Sequence, residues 1–100
     1  AYRERGVRAS MFSDARNIAT LEEAYFIDYR VYSAIPSFTS PATVSFGTAA
    51  IAASKGNTLA VTATASSYSI TVGNTGAGFG KTPLTFWSTG VCSYADLTLC

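Results

Sequence analysis

Apolar positions recur with a helical period at the start of the chain. Through residues 2–32 the apolar side chains come in steps of three and four, which is typical of an α-helix with one buried face. The stripe consists of Val7, Met11, Ala15, Ile18, Leu21, Tyr25, Tyr29 and Tyr32, widened by Phe12, Ala19 and Phe26. Pro36 disfavours helical geometry at Ile35, so the pattern predicts one long helix that ends before residue 36.

After a turn-rich link at residues 36–43, the period changes to that of short β-strands. The predicted strands are residues 44–51, 58–65, 68–72 and 84–87, with a glycine-rich loop at 73–80 and a closing segment at 90–100. Ser66 and Ser67 predict a tight antiparallel hairpin between the second and third strands.

A helix followed by strands predicts an α+β fold, in which a long N-terminal helix packs on a small antiparallel sheet of three or four strands. We expect a single domain at residues 1–100. Its helix occupies residues 1–33, and residues 34–100 form the connecting loop, the sheet and a C-terminal loop.

The predicted helix is long for a chain of 100 residues. About 30 helical residues span roughly 45–50 Å, whereas a compact domain of this size has a radius of gyration of about 13 Å. Because the strands follow the helix, we expect them on its C-terminal half, with residues 1–14 projecting. The candidates for contact with another subunit in this projection are Arg3, Glu4, Arg5, Val7, Arg8, Met11 and Phe12.

The two cysteines, Cys92 and Cys100, lie close together near the C-terminus. They are either two buried thiols or a disulfide, and a disulfide is favoured because it holds a chain end that otherwise frays. Closing so short a loop contributes roughly 2–3 kcal/mol in the chain-entropy model, and a disulfide indicates an oxidising compartment. A structural zinc site needs four ligands and the chain has no histidine, so we expect no metal.

The charges are concentrated in the first third of the chain. Three arginines and one glutamate at residues 3–8 give that segment a charge of +2, while residues 33–100 contain only Lys55, Lys81 and Asp96. The basic segment is a solvated helix face, an ion-pairing surface for an acidic patch on the next subunit, or a contact with lipid head groups. The overall net charge of +1 argues against a nucleic-acid partner.

Sequence motifs for catalysis and cofactor binding are missing. The run Gly76–Thr82 lacks the first glycine of a phosphate-binding loop, since position 75 is Thr75, and Pro83 with strand-like residues follows where a helix should begin. Without histidine, general acid–base chemistry has few candidates. We therefore expect no enzyme activity, no cofactor and no small-molecule substrate.

The helix resembles a known family. The run Ala15-Arg16-Asn17-Ile18-Ala19-Thr20-Leu21-Glu22-Glu23-Ala24-Tyr25-Phe26, followed by Tyr29 and Tyr32, is similar to the second half of a type IV pilin helix. The start, Ala1-Tyr2-Arg3-Glu4-Arg5, looks like the sequence that follows the apolar half of that helix. The pair Cys92 and Cys100 resembles the disulfide-closed C-terminal loop of many pilins.

This resemblance implies a structural subunit of an extracellular type IV pilus on the bacterial cell surface, acting in adhesion, motility or attachment, with copies of itself as partners. It also implies an apolar half-helix upstream that anchors the subunit in the inner membrane before assembly, so we expect the chain to be processed or trimmed. The alternatives are a type II secretion pseudopilin and a minor pilin acting as an adhesin or DNA-capture module. Pseudopilins tend to rely on a calcium loop, for which residues 73–100 offer only Asp96.

Overall fold

A computed structural model of the chain describes residues 2–40, 43–46, 49–78 and 80–100. The first element is the helix α1, Tyr2–Tyr29. Within the described residues seven strands follow: β1 Ile35–Thr39, β2 Thr43–Phe46, β3 Ala49–Ala52, β4 Thr58–Ala63, β5 Tyr68–Gly73, β6 Leu84–Trp87 and β7 Cys92–Ser93. A single 3₁₀ turn, Thr75–Ala77, lies between β5 and β6. The predicted α+β class, with one N-terminal helix packed on an antiparallel sheet, is confirmed.

The described strands form two sheets. Five of them pair in the order β1-β4-β5-β6-β7, with every neighbouring pair antiparallel, and β2 and β3 form a separate two-stranded sheet. The prediction of three or four strands is therefore wrong. The segment predicted as one strand at 44–51 covers most of β2 and β3, whose connection at residues 47 and 48 lies outside the described part of the chain.

Strand β1, Ile35–Thr39, overlaps the segment 36–43 that was predicted to be a turn-rich link. Pro36 lacks an N–H group, but it is tolerated because β1 is an edge strand of the sheet. The register shifts between Ile35 and Phe38, as at a β-bulge, and Ile35 is buried while Phe38 is half-buried. Residues 41 and 42 of the predicted link lie outside the described residues, and its last residue, Thr43, begins β2.

The predicted hairpin between β4 and β5 is confirmed. The two strands pair from Thr58 opposite Gly73 to Ala63 opposite Tyr68. The turn is closed by the Ser67 carbonyl, which accepts a hydrogen bond from the Thr64 N–H at 2.8 Å.

The helix ends at Tyr29, earlier than predicted. The next residue, Arg30, adopts the left-handed backbone conformation with φ 61°, and its N–H donates to the Phe26 carbonyl at 2.7 Å. This C-terminal cap turns the chain back towards the sheet. The ring of Tyr32 then stacks on Phe26 and meets the edge of Tyr68, with centroid distances of 4.7 and 4.8 Å.

The predicted overhang of residues 1–14 is wrong. The molecule measures 42 × 27 × 17 Å, and 28 helical residues span about 42 Å, so the helix occupies the long axis without exceeding it. Met11 is fully buried, and a side chain placed on Gly76 would come within 3.4 Å of Val7. The reason is that the loop after β5 folds over the N-terminal half of the helix. The less covered end is the opposite one, where Ile27 and Tyr29 are 73% and 54% exposed.

Candidate functional site

The predicted subunit-contact residues do not form one exposed surface. Arg3 and Arg5 are exposed, Glu4, Val7, Arg8 and Phe12 are half-buried, and Met11 is in the core. One guanidinium N–H of Arg8 donates to the Ala77 carbonyl at 2.7 Å, and the ring of Phe12 lies 6.2 Å from that of Phe86. Most of the segment therefore contacts this chain's own loop and sheet, and only its two exposed arginines face solvent as expected.

A buried polar network holds the helix to the loop before β4, and the sequence analysis missed it. Asp14 is only 4% exposed. One of its carboxylate oxygens accepts hydrogen bonds from the Ser54 N–H and the Asn57 amide, both at 2.8 Å, and the other accepts from the Ser54 hydroxyl at 2.7 Å. These bonds compensate for burying the carboxylate. The available signal was the position of Asp14 in the apolar stripe, between Met11 and Ile18.

The network continues to the loop after β5. The side-chain oxygen of Asn57 accepts a hydrogen bond from the Asn74 amide at 2.9 Å, and the Asn74 oxygen accepts from the Gly76 N–H at 2.9 Å. This second bond caps the 3₁₀ turn Thr75–Ala77. Together with the bond from Arg8, the network fixes the loop over the N-terminal half of the helix, which explains why that half does not project.

A second acidic side chain, Glu22, is also buried in the stripe, four residues after Ile18. Its Oε1 accepts a hydrogen bond from the Ser33 N–H at 2.9 Å, whereas Oε2 has no hydrogen-bond partner among the described residues. Burial raises the pKa of Glu22 from 4.5 to about 7; the bond from Ser33 opposes this shift and the charge of Glu23 adds to it. Glu22 is therefore uncharged over a wider pH range than an exposed glutamate.

The C-terminal loop is closed by a disulfide between Cys92 and Cys100, with a Cα–Cα distance of 5.3 Å. Within the loop, the Cys100 N–H donates to the Cys92 carbonyl at 3.0 Å and the Tyr94 N–H donates to the Thr98 carbonyl at 2.8 Å. Because Cys92 belongs to β7, the disulfide ties the chain end to the last strand of the sheet. The prediction that the two cysteines form a disulfide is therefore confirmed.

The same loop is linked to the turn before β6. The Asp96 carboxylate accepts a hydrogen bond from the Thr98 hydroxyl at 2.6 Å and pairs with the Lys81 ammonium at 3.0 Å. These contacts, Thr98 first and Lys81 second, lower the pKa of Asp96 to about 2. The Asp96 N–H also donates to the Gly80 carbonyl at 2.8 Å, and Gly80 has a φ of 75°. Asp96, the only acidic residue in residues 73–100, therefore orders the C-terminal loop.

A groove separates the helix from the disulfide loop, and we call it the C-terminal groove. It has a volume of about 520 Å³ and is lined by Phe12, Arg16, Phe86, Gly90, Val91, Cys92, Leu99 and Cys100. Val91 and Leu99 are 48% and 73% exposed, so an apolar wall faces solvent. The charged group on its rim is Arg16, whose guanidinium lies 5.8 Å from the centre of the Phe12 ring.

The described residues show no constellation for metal chemistry. In residues 2–40, 43–46, 49–78 and 80–100, histidine, cysteine, aspartate and glutamate nowhere gather in a group of three that could ligate a metal. Over the same residues, no helix has both the length and the apolar character needed to cross a bilayer.

Comparison with known proteins yields no relative. No family model, no curated protein and no solved structure matches the chain.

Proposed function

We propose that this chain is a structural subunit of an extracellular type IV pilus filament. The observation that carries the proposal is the order and packing of the elements: one helix along the whole 42 Å molecule, then an antiparallel sheet whose last strand holds a disulfide-closed loop. This layout agrees with the pilin-like sequence at residues 15–32. In this proposal the fold is pilin-like, and the subunit acts in adhesion, motility or surface attachment through the assembled fibre.

The burial of Met11 removes one support that the sequence had offered. A projecting N-terminal half was expected to require a partner, but that half is covered by the chain's own loop. The proposal therefore draws on the helix sequence, the layout and the disulfide. In this proposal, contacts between subunits lie on the surfaces that stay exposed and not on the covered N-terminal half of the helix.

In the proposed function the partners are copies of the same chain, and the subunit makes or breaks no covalent bond. An apolar segment upstream of residue 1 holds it in the inner membrane before assembly. The energy of the filament comes from burial of apolar surface between subunits. The subunit then faces the extracellular medium, which agrees with the disulfide between Cys92 and Cys100.

The type II secretion pseudopilin is the second candidate, and the C-terminal loop favours a pilin over it. Asp96 is the only acid in residues 73–100, and its carboxylate already binds Lys81 and Thr98. A minor pilin that works as an adhesin or DNA-capture module shares the layout and stays an alternative within the same proposal.

Two experiments test the proposal. The complete gene should encode, upstream of residue 1, a basic leader and an apolar run of about 20–25 residues, enough to span a membrane as a helix. Deleting the gene in its native host should remove a class of surface filaments, and expressing it from a plasmid should restore them. A soluble domain or a bare start codon upstream, or unchanged filaments after deletion, would contradict the proposal.

A further inference from the structure

The segment between α1 and β1, residues 30–34, is attached to the helix through two of its residues, and we call it the connector. Tyr32 and Ser33 are half-buried, and the residues on either side of them are exposed. The Ser33 N–H donates a hydrogen bond to Oε1 of Glu22 at 2.9 Å. The ring of Tyr32 lies 4.7 and 4.8 Å from the centres of two neighbouring aromatic rings. The connector is thus a surface segment outside the strands, so it can move without unpairing the sheet.

One of these two attachments is made to a fully buried carboxyl group. Glu22 has no exposed surface. Its Oε1 accepts the bond from Ser33, but Oε2 is buried without a hydrogen-bond partner among the described residues. A protonated carboxyl group tolerates such a site better than a carboxylate, whose charge would lose its hydration at the unpartnered oxygen. The closed connector therefore suits the protonated form of Glu22.

The ionisable groups around Glu22 do not favour its charged form. Glu23, the next residue of the helix, opposes ionisation through its own charge. Tyr32 on the connector and Tyr68 on β5 also interact with Glu22; burial, followed by the charge of Glu23, raises the pKa of Tyr32 and raises that of Tyr68 to about 12. Both tyrosines therefore stay uncharged in the neutral range. The pKa of Glu22, raised by burial to about 7, lies within that range.

Moving the connector away gives water a path to the carboxylate. The open form then has a glutamate with an ordinary pKa of 4.5, whereas in the closed form the pKa is about 7. Because the closed form binds the proton more tightly, closure is favoured in acid and opening becomes easier as pH rises. With these two values the ratio of open to closed molecules increases roughly fifty- to a hundredfold between pH 5 and 8.

We propose that the connector is a pH-responsive clasp, which is closed over Glu22 in acid and opens more often as the medium becomes alkaline. Opening breaks the bond between Ser33 and Glu22 and separates the ring of Tyr32 from those of Phe26 and Tyr68, while the helix and the sheet stay folded. The inference goes beyond the proposed function, and it holds whether or not the chain forms a filament.

Amide hydrogen exchange of the 100-residue chain, measured residue by residue by NMR from pH 5 to 8, tests the clasp. Protection factors are compared, since they correct for the intrinsic acceleration of exchange with pH. The protection factor of the Ser33 amide should fall roughly fifty- to a hundredfold over this range. Amides of the central strand β5 report global unfolding and should stay more protected than Ser33 at every pH. Low urea concentrations should accelerate exchange in β5 but hardly at Ser33, because local opening exposes little surface.

Three variants separate the pH response from the closure itself. Glu22→Gln removes the titrating group, so the protection factor of Ser33 should stay nearly constant from pH 5 to 8. Asp28→Asn removes a carboxylate from an exposed position of the same helix and should keep the native pH response. Tyr32→Ala removes the ring contacts and should lower the protection of Ser33 by about tenfold at every pH, with the pH response retained.

Three results would overturn the inference. The first is a protection factor of Ser33 in the native chain that does not change with pH. The second is protection of Ser33 equal to that of β5 at every pH, which would show that the segment opens only on global unfolding. The third is an unchanged pH response in Glu22→Gln, which would assign it to another group.

Discussion

Replacing Glu22 with glutamine should make the protein more stable at neutral and alkaline pH but not in acid. Glu22 is fully buried, with Oε2 lacking a partner among the described residues. Burial raises the pKa of this carboxyl from 4.5 to about 7, so between these values the folded protein binds a proton that the unfolded chain has released. Stability therefore falls as pH rises through this window. The stability that the protein keeps while the Glu22 carboxyl is protonated is fully present below pH 4.5 and is lost above about pH 7.

The size of the effect follows from the two pKa values. Each factor of ten in proton affinity corresponds to about 1.4 kcal/mol, so moving from 4.5 to about 7 gives a penalty of roughly 3 kcal/mol above pH 7. Glutamine has nearly the same shape and no charge, so the variant avoids this penalty. A constant offset from the new amide group is independent of pH and does not affect the comparison.

The assay is urea denaturation of the native chain and the Glu22→Gln variant at several pH values from 4 to 9, with the disulfide intact. The difference in unfolding free energy between the two proteins should rise by roughly 3 kcal/mol across this range, with most of the change between pH 4.5 and 7. Asp28→Asn is the control, because it removes a carboxylate from an exposed position of the same helix, six residues after Glu22. The pH dependence of its difference should be much smaller than that of Glu22→Gln.

A difference between native and Glu22→Gln protein that stays constant from pH 4 to 9 would refute this reasoning, since a glutamate with an ordinary pKa carries no penalty. A difference that falls as pH rises would show that the charged form is stabilised by a partner and not destabilised by burial.

Four further variants test the account of the fold. Asp14→Ala should lower the unfolding free energy by about 3–5 kcal/mol, because three hydrogen-bond donors lose their acceptor in a buried site; a loss below 1 kcal/mol in urea denaturation would contradict the network. Gly80→Ala should destabilise the protein by about 1–3 kcal/mol, because φ at Gly80 is 75° and the new Cβ would lie 3.1 Å from the Asp96 side chain. Gly6→Ala, on the open surface of the helix, should stabilise the protein by about 1 kcal/mol. Changes in unfolding free energy of the same sign for both variants would contradict these environments. Replacing Cys92 and Cys100 together with serine should cost about 2–3 kcal/mol for a loop with a sequence separation of 8, and an unchanged melting temperature would show that the disulfide has no part in stability.

The fold class could be predicted because periodicity reports which face of an element is buried. The steps of three and four placed Met11, Ala15 and Ile18 in the core, and all three are fully buried. Strand β1 could not be found in the same way, because its apolar residues Ile35 and Phe38 are three positions apart and do not fit a two-residue period, and the register shifts between them. Its pairing with β4, far along the chain, is what makes it a strand.

The path of the N-terminal half of the helix could not be predicted, because it depends on polar contacts between distant residues. Asp14 meets Asn57 across 43 positions and Arg8 meets Ala77 across 69. Apart from the position of Asp14 in the apolar stripe, nothing in the sequence marks these residues as partners. Periodicity gives the faces of elements but not the direction in which a glycine-rich loop turns, so the covering of the N-terminal half of the helix was not predicted.

The central claim is that many copies of this chain form an extracellular filament, and immunogold electron microscopy of the native host tests it most directly. Antibodies raised against the folded 100-residue chain should label surface filaments at regular intervals along their whole length, and a gene-deletion strain should show no labelled filaments. Label confined to the cell interior, or filaments that remain unlabelled while the chain is present in the same cells, would contradict the claim.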